Sequence, residues 1–354
     1  MGVVVSRVGG LGLGKVAGRG HVRLDGAVGA RGFEGEGRMS KPRERHPKSM
    51  YFVTRRVHGG EYRMRPDDEV TNAIGYILAL GCARHGVKVA TFCAMSNHYH
   101  ATVYDPLGQL AAWECFVNSR LASYLNARHG RTSHVLDASE GNAIEVQGAV
   151  FVSKSAYTEA NPTKAGLVYD PKAWPGLLIG LRDLRTGRPR VFHRPDDYFD
   201  PEGLLPETVE LVAEPPPHWK RPEFCRRLAG ELKESLARHR AALAAAGRKW
   251  VGIEAVRAAS PFTMPRHTLP ANVGRAAMPR PRLIGTTEGE TRSMLERYEA
   301  FLERYAAALA SWRKGVFDIV FPEGTWRLWR SFGARRGPPG SPGERWTRPV
   351  AAPS

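Results

Sequence analysis

Cysteine is scarce. The chain has four in 354 residues (Cys82, Cys93, Cys115 and Cys225), none in a C-x-x-C pair and each in an apolar or helical setting. That argues against a disulfide frame or a zinc knuckle and for buried thiols in a reducing compartment. Long apolar runs are missing too, since none reaches the ~18 residues of a membrane span. The opening "MGVVVSRVGGLGLG" is broken by Arg and Gly before a continuous hydrophobic region forms, which argues against a secretory signal. "GLGLGKVAGRG" is not G-x-x-x-x-G-K-[ST] and has no strand–loop–helix frame, so a phosphate loop is not read there. There is no internal repeat. Acidic residues are the last shortage: 35 Asp plus Glu face 52 Lys plus Arg, for a formal charge of +17. Such a balance favours a polyanionic partner, nucleic acid or an anionic surface, against the plainer reading of a merely Arg-rich composition.

The surplus is spread along the chain. Residues 1–46 are Gly- and Arg-rich with little periodicity and read as a disordered basic tail. They carry nine basic and four acidic residues, so +12 remains without them. Met39, opening "MSKPRERHPKSMYFVTRRV", reads as the natural start.

Periodicity then sets in. "SMYFVTRRV" (49–57) alternates like a strand. "PDDEVTNAIGYILALGCARHG" (66–86) has apolar residues at helical spacing, Asp67 and Asp68 to start it and Gly86 to stop it. "KVATFCAM" (88–95) and "HYHATVYD" (98–105) read as a hairpin across a tight turn. Residues 110–130 read as a second long helix, 131–143 as loop, 143–147 as a short strand, and 149–161 as a third helix ending at Asn161-Pro162. Strand, helix, strand, strand, helix, strand is the ferredoxin-like split-βαβ order, here with one added helix. The expected class is α+β: an antiparallel sheet with helices on one face, an open face for a site, and a mainly helical C-terminal region. We read a first domain over 47–180, a proline-rich linker over 181–220, and a second domain over 221–334. That domain holds helices at about 221–247 and 289–313 and a strand hairpin at 315–332. A Pro/Gly/Arg tail covers 335–354.

The candidate chemistry starts at His98 and His100. On a strand, i and i+2 point to one face, roughly 7 Å apart, while Tyr99 points the other way into apolar packing. Two neutral imidazoles so placed can share a divalent metal. On the third helix Tyr157 and Asn161 stand at i and i+4, on one face. The phenol is a candidate nucleophile and the amide oxygen a candidate third ligand. Taken singly, the plainer readings are a half-buried helix tyrosine and a helix-ending Asn-Pro. The only acid near the pair, Asp105, lies on the opposite face by parity, which weakens the reading of an unrelated H-x-H metallohydrolase.

"MSNHYHATV" followed by "AYTEANPTKAGLV" resembles the single-tyrosine HUH transposases, in particular the REP-associated tyrosine transposases, over about residues 47–180. Ser96 stands where that family usually has Pro, Thr158 where Ile is usual, and 131–143 lacks its basic, Trp-containing segment. The resemblance implies that His98 and His100 bind Mg²⁺ or Mn²⁺, that Asn161 completes the metal shell and that Tyr157 is the nucleophile. It further implies cutting and rejoining of single-stranded or hairpin DNA through a 5′-phosphotyrosine, by a homodimer in the bacterial cytoplasm near the nucleoid. Arg55, Arg56, Arg120, Arg128, Arg131, Lys154 and Lys164 are candidate phosphate contacts, though a solvated basic face is the plainer reading of any one of them. "TWRLWRSFGARR" (325–336) fits either a stacking-plus-phosphate surface or a hairpin with Trp packed inside. The alternative to a cutting enzyme is a domesticated or inactive protein that binds palindromic hairpins.

Overall fold

The computed structural model describes residues 42, 44–137, 143–200, 202–264 and 283–337. The tail readings for 1–41 and 338–354 lie outside these. The end of the first is inside, and it differs from expectation: Glu44 and Arg45 are buried. Glu44 pairs with Arg297 at 3.4 Å, and Arg45 lies 3.9 Å from Glu114. Their charges have partners inside the fold, which a composition-based reading of 1–46 could not supply.

The elements follow the predicted order at first: β1 (Ser49–Arg56), α1 (Asp68–His85), β2 (Lys88–Ala94), β3 (His98–Asp105), α2 (Leu110–Arg128), β4 (Ala143–Val146) and α3 (Gly148–Lys164). After them come β5 (Leu178–Ile179), α4 (Leu181–Thr186), β6 (Arg190–His193), β7 (Thr208–Leu211), α5 (Arg221–Ala245) and α6 (Ile253–Ala258). The chain closes with β8 (Leu283–Ile284), α7 (Glu288–Arg313), β9 (Val320–Phe321), α8 (Arg327–Phe332) and β10 (Arg335–Arg336).

Local chemistry explains the ends of α1. The Asp67 carboxylate accepts from the Val70 amide at 2.7 Å, satisfying one of the amides left over at a helix start. Gly86 takes φ +71° and its N–H reaches the Cys82 carbonyl, a left-handed cap that glycine adopts without strain. Asp105, buried at the end of β3, accepts from the amides of Leu107, Gln109 and Leu110. It is the anchor of the loop into α2.

The main sheet has six strands in the order β5-β2-β3-β1-β4-β8. Its first five are antiparallel neighbours, but β8 joins β4 in parallel. The fully antiparallel sheet expected from the sequence is therefore a mixed one. The extra strands are two residues each, too short to carry a period. Alternate residues of β3 divide the two faces. Tyr99, Ala101 and Val103 are fully buried, and the Tyr99 hydroxyl donates to Asn118 of α2 at 2.7 Å. His98, His100 and Thr102 point to the other side, where Thr102 meets Ser155 of α3 at 3.0 Å. So α1 and α2 cover one face, and α3 lies on the face expected to be open. Helix α5 packs on α3 in turn, with Phe151 and Phe224 rings 6.0 Å apart.

Three further readings change. The proline-rich stretch 181–220 carries α4 and the β6–β7 hairpin, and Phe192, Phe199, Val209 and Leu211 join the same core as the sheet. Phe224, Cys225, Leu228 and Leu232 of α5 join it too. Instead of a strand hairpin, 315–332 holds β9 and then α8, stopped by Gly333 at φ +68°; Trp326, Trp329 and Phe332 recur every third residue, close to a helical period. No described helix is long and apolar enough to cross a membrane.

Candidate active site

The site sits where the starts of β3 and the end of β1 meet α3. His98 lies opposite Arg56 and His100 opposite Thr54 in the β1–β3 register. The two imidazole rings are 4.8 Å apart, centroid to centroid. Phe52 stacks on His100 at 5.3 Å and 17°, and meets the edge of Tyr157 at 5.8 Å. The Tyr157 ring is 5.2 Å from His100. Sheet and helix therefore bring the imidazole pair and the phenol together on one side.

Both imidazoles are held by a neighbour. His100 Nδ1 is 2.8 Å from Thr54 Oγ1, and His98 Nδ1 is 2.7 Å from Asn97 Oδ1. The Asn161 side chain lies within hydrogen-bonding reach of His98. Burial pushes the His98 pKa down to about 4, aided by the nearby Arg56 and Lys164 charges and opposed by the Asn161 contact. His100 is also pushed well below its ordinary value, first by burial, then by His98 and the surrounding Arg56, Lys164 and Lys154. Neutral imidazoles are what a cation needs from this residue, and Nδ1 contacts of this sort fix ring orientation in metal sites. The donor set of His98, His100 and Asn161 thus fits a divalent ion. Among the described residues no group of three or more His, Cys, Asp or Glu could hold a metal, so a third ligand drawn from the described residues would be an amide oxygen or similar.

Helix α3 does not stop at Asn161-Pro162. It runs on to Lys164 with Pro162 inside it. Lys164, seven residues after Tyr157, therefore comes back over it: Nζ donates to the phenol oxygen at 3.1 Å and sits 4.3 Å from the ring centre. Lys154 Nζ lies 5.9 Å from the same ring and 5.3 Å from Phe52.

The seven basic candidates are not gathered in one place. Arg56, Lys154 and Lys164 surround the His–Tyr cluster. Arg55 points to the opposite face, where it donates to the Asp137 carbonyl at 2.9 Å. Arg120 lies on α2 above Phe116. Arg128 is ion-paired with Asp67 at 3.1 Å and with Glu69. Arg131 stacks over Phe262 at 4.1 Å. In the C-terminal region Arg336 stacks over Trp329 at 3.8 Å, whereas Trp312 packs against Phe317 and Phe321.

Sequence reasoning missed Thr54, Asn97 and Phe52. Thr54 could have been found by pairing the two strands, since it stands opposite His100. Asn97 was read only as a turn residue. It also missed Glu159, a buried residue of α3 whose carboxylate accepts from the Leu181 amide at 2.8 Å. Burial raises its pKa to about 7, with that hydrogen bond opposing and Asp183 adding.

Comparisons with known proteins add little. No protein-family profile matches the chain, and no curated protein does. One solved structure, described as the REP-associated tyrosine transposase bound to a REP hairpin, is similar at a TM-score of 0.34 and 10% identity, over 50% of this chain and 98% of that one.

Proposed function

We propose that this chain is a metal-dependent transposase that cuts and rejoins single-stranded DNA through a 5′-phosphotyrosine. The observation that carries the reading is the Tyr157 phenol, 5.2 Å from a neutral, oriented His100 ring and hydrogen-bonded to Lys164 at 3.1 Å. The resemblance of the two sequence motifs and the β2-β3-β1-β4 order with helical crossovers support it.

In this reading the Tyr157 oxygen attacks a backbone phosphorus in line. The new O–P bond forms as the bond to O3′ breaks; the electron pair and a proton go to O3′, and the phenol proton is released. A 3′-hydroxyl attacking the phosphotyrosine reverses the step and rejoins strands. Lys164 holds the phenol oxygen and offers its charge to the phosphate as negative charge builds there. Lys154 adds to that field, and Arg56, at the exposed end of β1, receives a neighbouring phosphate. His98, His100 and Asn161 would hold Mg²⁺ or Mn²⁺, which when bound supplies Lewis-acid stabilisation of a phosphoryl oxygen. The hairpin substrate and a homodimer come with the motif resemblance.

A second reading keeps the DNA and drops the cut. The donor set without a carboxylate favours it, as do the three cations, which would grip a strand with or without chemistry. One experiment separates the two. Wild type is incubated with a labelled hairpin bearing single-stranded arms, with Mn²⁺, and run on a denaturing gel. A protein–DNA band that disappears in Tyr157→Phe supports the nuclease. A band that survives in Tyr157→Phe removes the nucleophile assignment. Binding with no band in the wild type leaves the DNA-binding reading.

A further inference from the structure

The tyrosine helix α3 ends against the chain that leaves α5. There Val251 N–H donates to the Gly166 carbonyl at 3.0 Å, and Gly252 N–H to the Leu167 carbonyl at 2.9 Å. Two residues further on, Tyr169 is anchored by its backbone. Its carbonyl accepts from Thr163 Oγ1 at 3.3 Å and from Nε and Nη2 of Arg240, on α5, at 3.1 and 3.0 Å. The ring stands out from this anchor and is 58% exposed. The Arg240 guanidinium lies 4.0 Å from its centre, and the half-buried Trp250 ring meets it at 5.5 Å and 80°. Arg248 is exposed beside them, its Nη2 about 3.5 Å from where a Cβ on Gly166 would lie.

The charge of this patch has one sign. Residues 161–169 include Lys164 and no acid, and residues 238–250 include four Lys or Arg and no acid. Asp170, next in sequence, turns its carboxylate to the Lys172 amide at 2.9 Å. Among the described residues no carboxylate pairs with Lys164, Arg240 or Arg248, whereas Arg128 is held by both Asp67 and Glu69. Lys164 also reaches the Tyr157 oxygen at 3.1 Å, so the patch begins where the candidate nucleophile ends. One exposed ring is ordinary surface. Two rings in contact, with cations that have no acidic partner, fit a flexible polyanion with flat side groups. A duplex would supply the phosphates but keep its bases stacked on each other, leaving the rings nothing to hold.

We infer that this patch, built by the ends of α3 and α5, is a stacking platform for unpaired nucleotides of the strand whose phosphate lies at Tyr157. A base stacks on the Tyr169 ring beside Trp250, Arg240 holds that ring in place, and Arg248 takes a neighbouring phosphate. The C-terminal half of the chain thereby takes part in gripping the substrate. The inference rests on the DNA reading above, but not on the cutting step.

The test uses the full chain in EDTA with two single strands of equal length and charge, an oligothymidylate and an abasic strand. Wild type should bind the base-bearing strand about ten-fold or more tighter, since each stacked base is worth ~1–3 kcal/mol. Tyr169→Ala and Trp250→Ala should each shrink that gap by about five-fold or more and leave abasic binding unchanged. Thermal melts check both folds, and Tyr169→Phe, which keeps the ring, should keep the gap. Arg248→Ala should weaken both strands alike and lower the slope of log affinity against log salt by about one. Equal binding of the two strands by wild type, a gap untouched in either alanine variant, a gap lost in Tyr169→Phe, or an unchanged slope in Arg248→Ala would each overturn the proposal. Tyr157→Phe should keep the gap in full. A covalent adduct in wild type without any base preference would sink the platform alone, whereas no binding of either strand would sink the DNA reading with it.

Discussion

The two faces of β3 are built from adjacent residues and obey different rules. On one, Tyr99, Ala101 and Val103 are completely buried among apolar neighbours. On the other, His98, His100 and Thr102 are largely buried too, yet each polar atom named above has a partner: Asn97, Thr54, Ser155. Burying a polar group without a partner costs more than a hydrogen bond returns. The second face can therefore persist only because Thr54 stands across the ladder and α3 lies over it. The same division sorts adjacent arginines: Arg55 is tied down on the packing side, and Arg56 is exposed beside the imidazoles.

The sharpest way to break this contrast is at Tyr157. Replacing it with Phe should reduce covalent adduct at least about 1,000-fold, with little change in the melting temperature, because its hydroxyl partner Lys164 is exposed. A large loss of stability would mean that the polar side is packing after all. Next comes a matched pair. Tyr99→Ala should cost about 3–5 kcal/mol of folding free energy, measured by urea unfolding. His100→Ala should cost about 1 kcal/mol but abolish any Mn²⁺-dependent rise in melting temperature. Equal destabilisation by the two would erase the distinction between the faces.

Glu159 sharpens the contrast by pH. Its folded pKa is raised to about 7 from an ordinary 4.5. The neutral form is favoured by the fold, so its contribution is complete below about pH 4.5 and is lost as pH rises through about 7. The loss should reach up to about 3 kcal/mol, and Glu159→Gln should flatten it while keeping an acceptor for Leu181. The smallest effect separates the arginines. Arg56→Ala should lower the slope of log affinity against log salt by about one. Arg55→Ala should leave that slope alone and cost about 1 kcal/mol of stability.

The half of the fold that positions the site was legible because its elements are long. Val70 to Leu80 keeps a helical period through α1, and His98 to Asp105 alternates through β3. The His pair and Tyr157 with Asn161 could be assigned to faces by counting alone. The Lys164 contact was hidden by Pro162, which signals a helix end by local rule but here sits inside a helix already held by the sheet and α5. Asn161 was read as a terminal residue for the same reason. Strands β5 and β8 were unreadable because two residues carry no pattern; what makes them strands is the neighbour they meet. The 181–220 stretch misled because proline content says where regular structure is interrupted, and says nothing about whether Phe192 and Phe199 between the interruptions are buried.

The parallel docking of β8 on β4 has a temporal side. Gln147 and Thr286, joined by a hydrogen bond beside that pairing, are 139 residues apart in sequence. During synthesis from the N-terminus, the outer rim of β4 stays bare until β8, about four fifths of the way along the chain, has emerged. Unpaired rims of this kind recruit strands from other molecules, and distant pairings close slowly. Nascent chains stalled before residue 283 should therefore be the ones that self-associate.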